Sequence, residues 1–241
     1  HDGVLVDTEY WYFRSTQRAL AEMGVHFDTD EYLEFMPRGQ TMWDLARQRG
    51  ISEEVIAVHR SNRDRYYQEH LRTEDIEILG VLEVLNKLSQ SFSMAIVTTA
   101  KKVDFEIIHR DRSIVSYMDF VLANGDYARS KPAPDPYLKA LERFDAQPHE
   151  AIVIEDSERG LRSAAAAGIE CIVIENAFTK SQDFSRAYCV LHSIRDLPAL
   201  LADRADVAEV GDRRLGVADL VGVHVAVVAV AGQAAAGGHG Q

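Results

Sequence analysis

Glu155 and Asp156 are adjacent carboxylates, placed where the apolar run Ala151-Ile-Val-Ile154 gives way to Ser157. Two acids held this close repel each other unless a cation lies between them, and an oxygen-only donor set suits a hard ion, Mg2+ first. The plainer reading is that both acids serve the N-terminus of a following helix, and the stretch alone leaves the two open. Asp2, Thr98 and Lys131 also stand at, or just beyond, the ends of strand-like runs. Each has a plain reading by itself. A threonine commonly ends a strand, and Ser130-Lys-Pro-Ala-Pro-Asp135 reads as a proline-stiffened loop before a helix. Arg38, in the turn Met36-Pro-Arg-Gly-Gln40, can meet an anionic ligand, although a solvated arginine is the simpler reading.

The elements that would position these residues follow from periodicity. The run at 151–154 is too short for a helix and is β-branched, which predicts a strand buried on both faces of a parallel sheet. Ser157 is placed to cap a helix through Ala167, and Gly168 to end it. From Leu79 onward, strand and helix patterns alternate. Helices are predicted over 80–89, 103–110 and 135–144, and strands over 94–97, 120–122, 171–174 and 188–191. Such alternation predicts an α/β fold, a Rossmann-like parallel sheet with helices on both faces. Chemistry in such sheets gathers at the carboxyl ends of the strands. Residues 10–76 are helix-like throughout, with Asp28 or Thr29, Thr41 and Ser52 as starts and Gly24 and Gly50 as stops, and they read as an inserted helical domain. Residues 1–9 and 77–204 then form the core. Residues 205–241 are rich in Ala, Val and Gly and are expected to be poorly ordered, although the partly alternating 221–230 segment can add a strand. No chemistry is legible in that tail, and its removal is expected to leave the rest folded.

Composition narrows the function. A net charge of −12 over 241 residues argues against DNA or RNA as a partner, while a local site can still oppose that sign for a small phosphorylated ligand. The longest apolar stretch, 220–232, falls short of the roughly 20 residues a membrane span needs. Cys171 lies inside an apolar strand run, which suggests a buried thiol in a reducing compartment. The opening His1-Asp2-Gly3 lacks the basic and apolar regions of a signal peptide, so a cytoplasmic location is expected.

Taken together and in order, these stretches resemble the haloacid dehalogenase superfamily, in particular its phosphatases and phosphomutases with a helical cap. Asp2-Gly-Val-Leu-Val-Asp-Thr-Glu9 resembles the second half of the first motif, and Ala95-Ile-Val-Thr98 the second. Lys131-Pro-Ala-Pro-Asp135 resembles the third, and Val153-Ile-Glu-Asp-Ser157 with Gly160 the fourth. The resemblance implies a Mg2+-dependent phosphatase of a small phosphorylated metabolite, working through an aspartyl-phosphate. Asp2 would be the general acid and base and would also ligate Mg2+ through its main-chain carbonyl. Thr98 and the backbone N–H of Thr99 would hold the phosphoryl group. Lys131 would neutralise charge, and Glu155 and Asp156 would hold the metal. The helical insert would be a mobile cap with Arg38 and Gly39 in its substrate-facing loop. The resemblance also makes a monomer the default.

Two departures from the family pattern matter. The nucleophile is an Asp two residues before the position of Asp2, and the sequence begins at His1. The strand carrying that Asp lies at the centre of the family's sheet, so its loss is expected to leave backbone groups on both neighbouring strands without partners. At about 1–3 kcal/mol each, several such groups would consume much of a stability margin of about 5–15 kcal/mol. The expectation is therefore an N-terminally truncated copy with little covalent catalysis of its own. Phosphomutases of the β-phosphoglucomutase type carry a His where Tyr12 stands, which lowers a mutase relative to a hydrolase. A non-catalytic remnant that binds a phosphorylated ligand or a protein partner is the alternative from another class.

Overall fold

A computed structural model describes residues 1–35, 41–202, 224–226 and 229–230. Five parallel strands make the frame: β1 (Ser93–Val97), β2 (Phe120–Leu122), β3 (Ala151–Glu155), β4 (Glu170–Ile174) and β5 (Cys189–Leu191). Their side chains alternate between two separate apolar clusters. Met94, Ile96, Ile152, Ile154, Ile172 and Ile174 face one, and Ala95, Val97, Ala151, Val153, Cys171 and Val173 face the other. This two-sided burial is why the strands read as unbroken apolar runs. The first cluster is closed by α5 (Val81–Leu88) and α6 (Lys102–His109), the second by α7 (Asp135–Phe144) and α8 (Glu158–Ala166). The architecture is thus the doubly covered α/β sheet that the alternation predicts. Ser157 caps α8 by accepting a hydrogen bond from Gly160 N at 3.2 Å, a contact worth about 1 kcal/mol. Gly168, at φ +76°, ends that helical segment in the left-handed conformation.

Before the sheet comes a helical layer with its own apolar core. It comprises α1 (Glu9–Ala21), α2 (Thr29–Phe35), α3 (Met42–Gln48) and α4 (Glu53–Thr73), packed through Phe13, Leu20, Phe27, Tyr32, Trp43 and Ile56. Asp28, one of two candidates for the α2 cap, takes that role: its Oδ1 accepts from Glu31 N at 2.9 Å while Asp28 N donates back to Glu31 Oε2 at 3.2 Å. The chain enters this layer after Asp7 and leaves it at Ile76, and the two crossings lie side by side, with Asp7 N donating to Ile76 O at 2.9 Å. Along the contact with the sheet domain, Asp64 of α4 pairs with Lys101, and Gln68 donates to Asp104 of α6 at 2.8 Å. No helix among the described residues is long and apolar enough to cross a membrane.

The centre of the sheet departs from expectation. The strand order is β2-β1-β6-β7-β3-β4-β5, where β6 (His224–Ala226) and β7 (Ala229–Val230) come from the Val-rich part of the tail. β6 runs parallel to β1 and β3, with Val225 opposite Met94 on one side and Ile152 on the other, and antiparallel to β7. The gap expected between β1 and β3 is therefore occupied: β6 and β7 supply hydrogen-bond partners to two otherwise unpaired inner edges. Deletion of residues 205–241 is expected to lower the melting temperature by roughly 5–10 °C, since each lost hydrogen bond costs about 1 kcal/mol and a kcal/mol moves a chain of this size by about 2–4 °C. A melting curve, followed by far-UV circular dichroism, that is unchanged by the deletion would show that β6 and β7 contribute nothing to the sheet.

Candidate active site

β3 delivers Glu155 to the carboxyl rim of the sheet, where burial alone would favour its neutral form. It is held charged instead. Lys131 Nζ donates to Glu155 Oε1 at 2.6 Å, the Tyr137 hydroxyl donates to the same oxygen, and Ser157 Oγ stands at 3.4 Å from Oε2. Desolvation pushes the carboxyl up, but Lys131, the amino group of His1 and the Tyr137 bond outweigh it and hold it down at about 2. Lys131 in turn donates to Val97 O at 2.9 Å, which fixes its ammonium at the end of β1 beside Thr98. The first turn of α8 closes on this pair so tightly that a Cβ on Gly160 would lie 1.9 Å from the Glu155 carboxyl carbon.

Asp156 has the opposite environment. Burial, then the neighbouring Glu155 charge, pushes its carboxyl up to about 7. Asn176, just past β4, donates to its Oδ2 at 3.0 Å. Gly3 packs directly on this carboxylate: at φ +72°, a Cβ there would sit 2.2 Å from Asp156 Oδ2, so both the backbone angle and the space demand glycine. Gly3 belongs to a tight turn in which Leu5 N donates to His1 O at 2.8 Å and Gly3 N to Val6 O at 2.8 Å.

That turn presents Asp2. Its Oδ1 accepts from Thr8 Oγ1 at 2.7 Å, and its Oδ2 lies 3.0 Å from His1 Nδ1 and 3.4 Å from Thr98 Oγ1. Thr98 is itself fixed by Thr98 N donating to Leu122 O at 2.9 Å and by the Tyr127 hydroxyl donating to Thr98 O at 2.7 Å. The His1 ring is buried against Phe105, and its Nε2 meets His109 Nε2 at 2.8 Å, so one of the two nitrogens must carry the shared hydrogen. Burial holds the His109 imidazole down at about 4. The amino group of His1 is buried among Glu155, Lys131, Asp2 and Asp156, and desolvation lowers its proton affinity.

The structure thus brings Asp2 to Thr98, Lys131 to Glu155, and Gly3 to Asp156, all at one rim. Thr99 turns its hydroxyl to Arg159, whose Nη2 donates to it at 3.3 Å. Arg38 and Gly39 lie outside the described residues. Among the described residues, no group of three or more His, Cys, Asp or Glu is arranged to hold a metal ion. The hydrogen bonds of Glu155 go to Lys131, Tyr137 and its own loop, which leaves Asp156 as the carboxylate in need of a counter-charge. Sequence reasoning missed Thr8, Tyr137, Asn176 and His109. Asn176, two residues past a predicted strand, carried a signal in its position; His109 and Tyr137 carried only a place on an amphipathic helix. Gly160→Ala is expected to cost about 1–3 kcal/mol in urea denaturation by forcing Glu155 off Lys131; unaltered stability would mean that the carboxylate has room to yield.

CbbY of Cereibacter sphaeroides is 28% identical over 214 residues, covering 83% of this chain and 92% of that protein. A phosphorylated carbohydrates phosphatase of Thermotoga maritima is 29% identical over 207 residues, covering 83% and 87%. Among solved structures, a variant of CbbY from Rhodobacter sphaeroides in complex with xylulose-(1,5)bisphosphate superposes with a TM-score of 0.70 at 25% identity, covering 81% of this chain and 92% of that one. The family model described as haloacid dehalogenase-like hydrolase matches residues 1–174, which carry all of Asp2, Thr98, Lys131, Glu155 and Asp156, and the chain belongs to that family.

Proposed function

We propose that this chain is the body of a Mg2+-dependent phosphatase acting on small phosphorylated metabolites, phosphorylated sugars foremost, through an aspartyl-phosphate on an aspartate joined to the His1 amine. The observation that carries the reading is the meeting at one rim of Asp2 with Thr98, of Lys131 with Glu155 and of Gly3 with Asp156, from distant stretches of chain. The phosphatase named among the relatives and the sugar bisphosphate bound by CbbY support the substrate class.

In this reading the attacking carboxylate oxygen forms a bond to phosphorus while the bond from phosphorus to the sugar oxygen breaks. Asp2, oriented by Thr8, gives its proton to the departing oxygen; it then takes a proton from water, whose oxygen attacks phosphorus and frees the aspartate and inorganic phosphate. Lys131 spends two hydrogen bonds on Glu155 and Val97 and keeps a third N–H for a phosphoryl oxygen, while the Thr98 hydroxyl reaches a second. Asp156 and the main-chain carbonyl of Asp2 would hold the cation, with Glu155 adding charge from the next position. The fit rests on Asp156, a buried carboxyl whose elevated proton affinity is what an adjacent cation relieves. Bound there, Mg2+ supplies the positive charge that lets two anions approach. The helical layer over the rim excludes water from the reaction.

With an in-frame strand ending in aspartate placed before His1, the protein is expected to release phosphate from a panel of sugar phosphates only when Mg2+ is present. Asp2→Asn should lower its turnover by on the order of 10²–10⁴-fold while leaving Mg2+ affinity intact. Metal-independent release, or an unimpaired Asp2→Asn, would contradict the mechanism. A readout that needs no turnover is thermal: Mg2+ should raise the melting temperature of the unmodified chain and have no effect on Asp156→Asn, and an equal rise in both would remove Asp156 from the metal site.

A further inference from the structure

We propose that Phe178 is a positioning residue for the metal site. Its ring inserts into the core of the helical layer, and its backbone sets Asn176, which orients Asp156 for the cation. Mg2+ binding and the seating of the layer on the sheet domain therefore favour each other. The inference rests on the reading of Asp156 as a Mg2+ ligand and extends it to control of that ligand from the other domain.

The loop after β4 faces both domains. Asn176 stands just past Ile174, the last residue of the strand, and Phe178 follows it. The Asn176 side chain uses both of its polar ends. Its Nδ2 donates to Asp156 Oδ2 at 3.0 Å, and its Oδ1 accepts from Phe178 N at 2.9 Å. A backbone donor on one side and a carboxylate on the other allow only this orientation of the amide. The surrounding backbone is tied down as well. Asn176 N donates to Thr179 Oγ1 at 3.1 Å, Thr179 N donates back to Asn176 O at 3.1 Å, and Thr179 is buried. Gly3 closes the side toward Asp2, since a Cβ there would meet Asn176 Nδ2 at 2.8 Å. A shift of Phe178 is thus passed to the amide, and a shifted amide leaves Asp156 without its N–H donor.

Phe178 belongs to the sheet domain by its place in the chain, yet its ring packs against the apolar core of the helical layer. It lies 6.0 Å from the Phe13 ring of α1 and, edge-on, 6.1 Å from the Tyr32 ring of α2. Those two rings pack on each other at 5.0 Å, which closes a triangle of aromatics. Tyr32 is held in turn by its hydroxyl, which donates to Glu9 Oε1 at 2.7 Å. A side chain from one domain thus completes the core of the other, and its contacts exist only while the layer is seated. Metal ligands are commonly oriented by a hydrogen-bonding neighbour behind them, and loss of that neighbour weakens binding by about 10–100-fold. Here the neighbour is anchored across a domain boundary. Linkage makes the effect mutual: seating of the layer tightens the metal, and the metal tightens the seating by the same factor.

The test uses the chain as it stands and needs no turnover. Mg2+ affinity is measured by calorimetry, well below the melting temperature, for the wild type, Asp156→Asn, Asn176→Ala and Phe178→Ala. Asn176→Ala is expected to weaken Mg2+ by about tenfold or more, and Phe178→Ala by about three- to tenfold. The double variant Asn176→Ala/Phe178→Ala is expected to bind no more weakly than Asn176→Ala alone, since both changes break the same link. A Phe178→Ala that melts lower but binds Mg2+ like the wild type, or a double variant whose losses multiply, would overturn the proposal and leave Phe178 a packing residue. Should Phe178→Ala fail to fold, hydrogen exchange decides. Mg2+ is expected to slow exchange of the α1 and α2 amides around Phe13 and Tyr32 in the wild type and to lose that effect in Asn176→Ala. Exchange that Mg2+ leaves unchanged in the wild type, or slows equally in both, counts against the coupling. The two readings fail separately. Equal Mg2+ binding by the wild type and Asp156→Asn ends the metal reading, and the coupling with it. Binding lost in Asp156→Asn but kept in Phe178→Ala leaves the metal site standing and ends the coupling alone.

Discussion

The buried pair of Lys131 and Glu155 is the constraint on which the rest of the rim depends. Placing two charges in a dry interior costs several kcal/mol each, recovered only if geometry is good and the remaining hydrogen-bonding capacity is used. Here it is used: Tyr137 and Val97 O complete the pair. That solution dictates the surrounding sequence. Gly160 has no side chain because Glu155 fills its space, and Ser157 turns α8 away immediately after the strand. One result is electrostatic asymmetry between neighbours in sequence. Glu155 is held charged and Asp156 is left reluctant to ionise, so two acids adjacent in sequence differ in how readily they carry charge.

The same contrast operates at the scale of the molecule. A chain of net charge −12 would repel a phosphorylated ligand at long range, yet the positions that would meet one hold cations. Lys131 is at the sheet rim, and Arg159 is beside Thr99. Local arrangement, made by helices and strands far apart in the chain, sets the sign of the site, and net charge does not report it.

Much of this arrangement is legible in the sequence because it is local. Apolar runs such as 151–154 and 171–174 are strands because both faces are buried, and Asp28, Ser157 and Gly168 sit at helix ends for reasons of hydrogen bonding and backbone angle. The acids, Thr98 and Lys131 stood out because strand ends are where side chains can converge. What could not be read depends on approach between distant segments. Nothing near His109 in sequence indicates that it will meet His1, and Tyr137 looks like any core aromatic until Glu155 is beside it. The filling of the sheet centre by residues 224–226 was invisible for the same reason: partial alternation suggests a strand but does not say which edge it pairs with.

The side-by-side crossings at Asp7 and Ile76 have a geometric consequence. Both covalent links between the helical layer and the sheet domain lie on one line, so any swing of the layer takes that line as its axis. In such a swing, displacement grows with distance from the axis. Thr8, next to the axis, would hold Asp2 almost unmoved, whereas Glu53, at the far end of α4, would travel along a wider arc. Residues beside the axis would then keep constant surroundings while those at the far end of α4 exchange theirs.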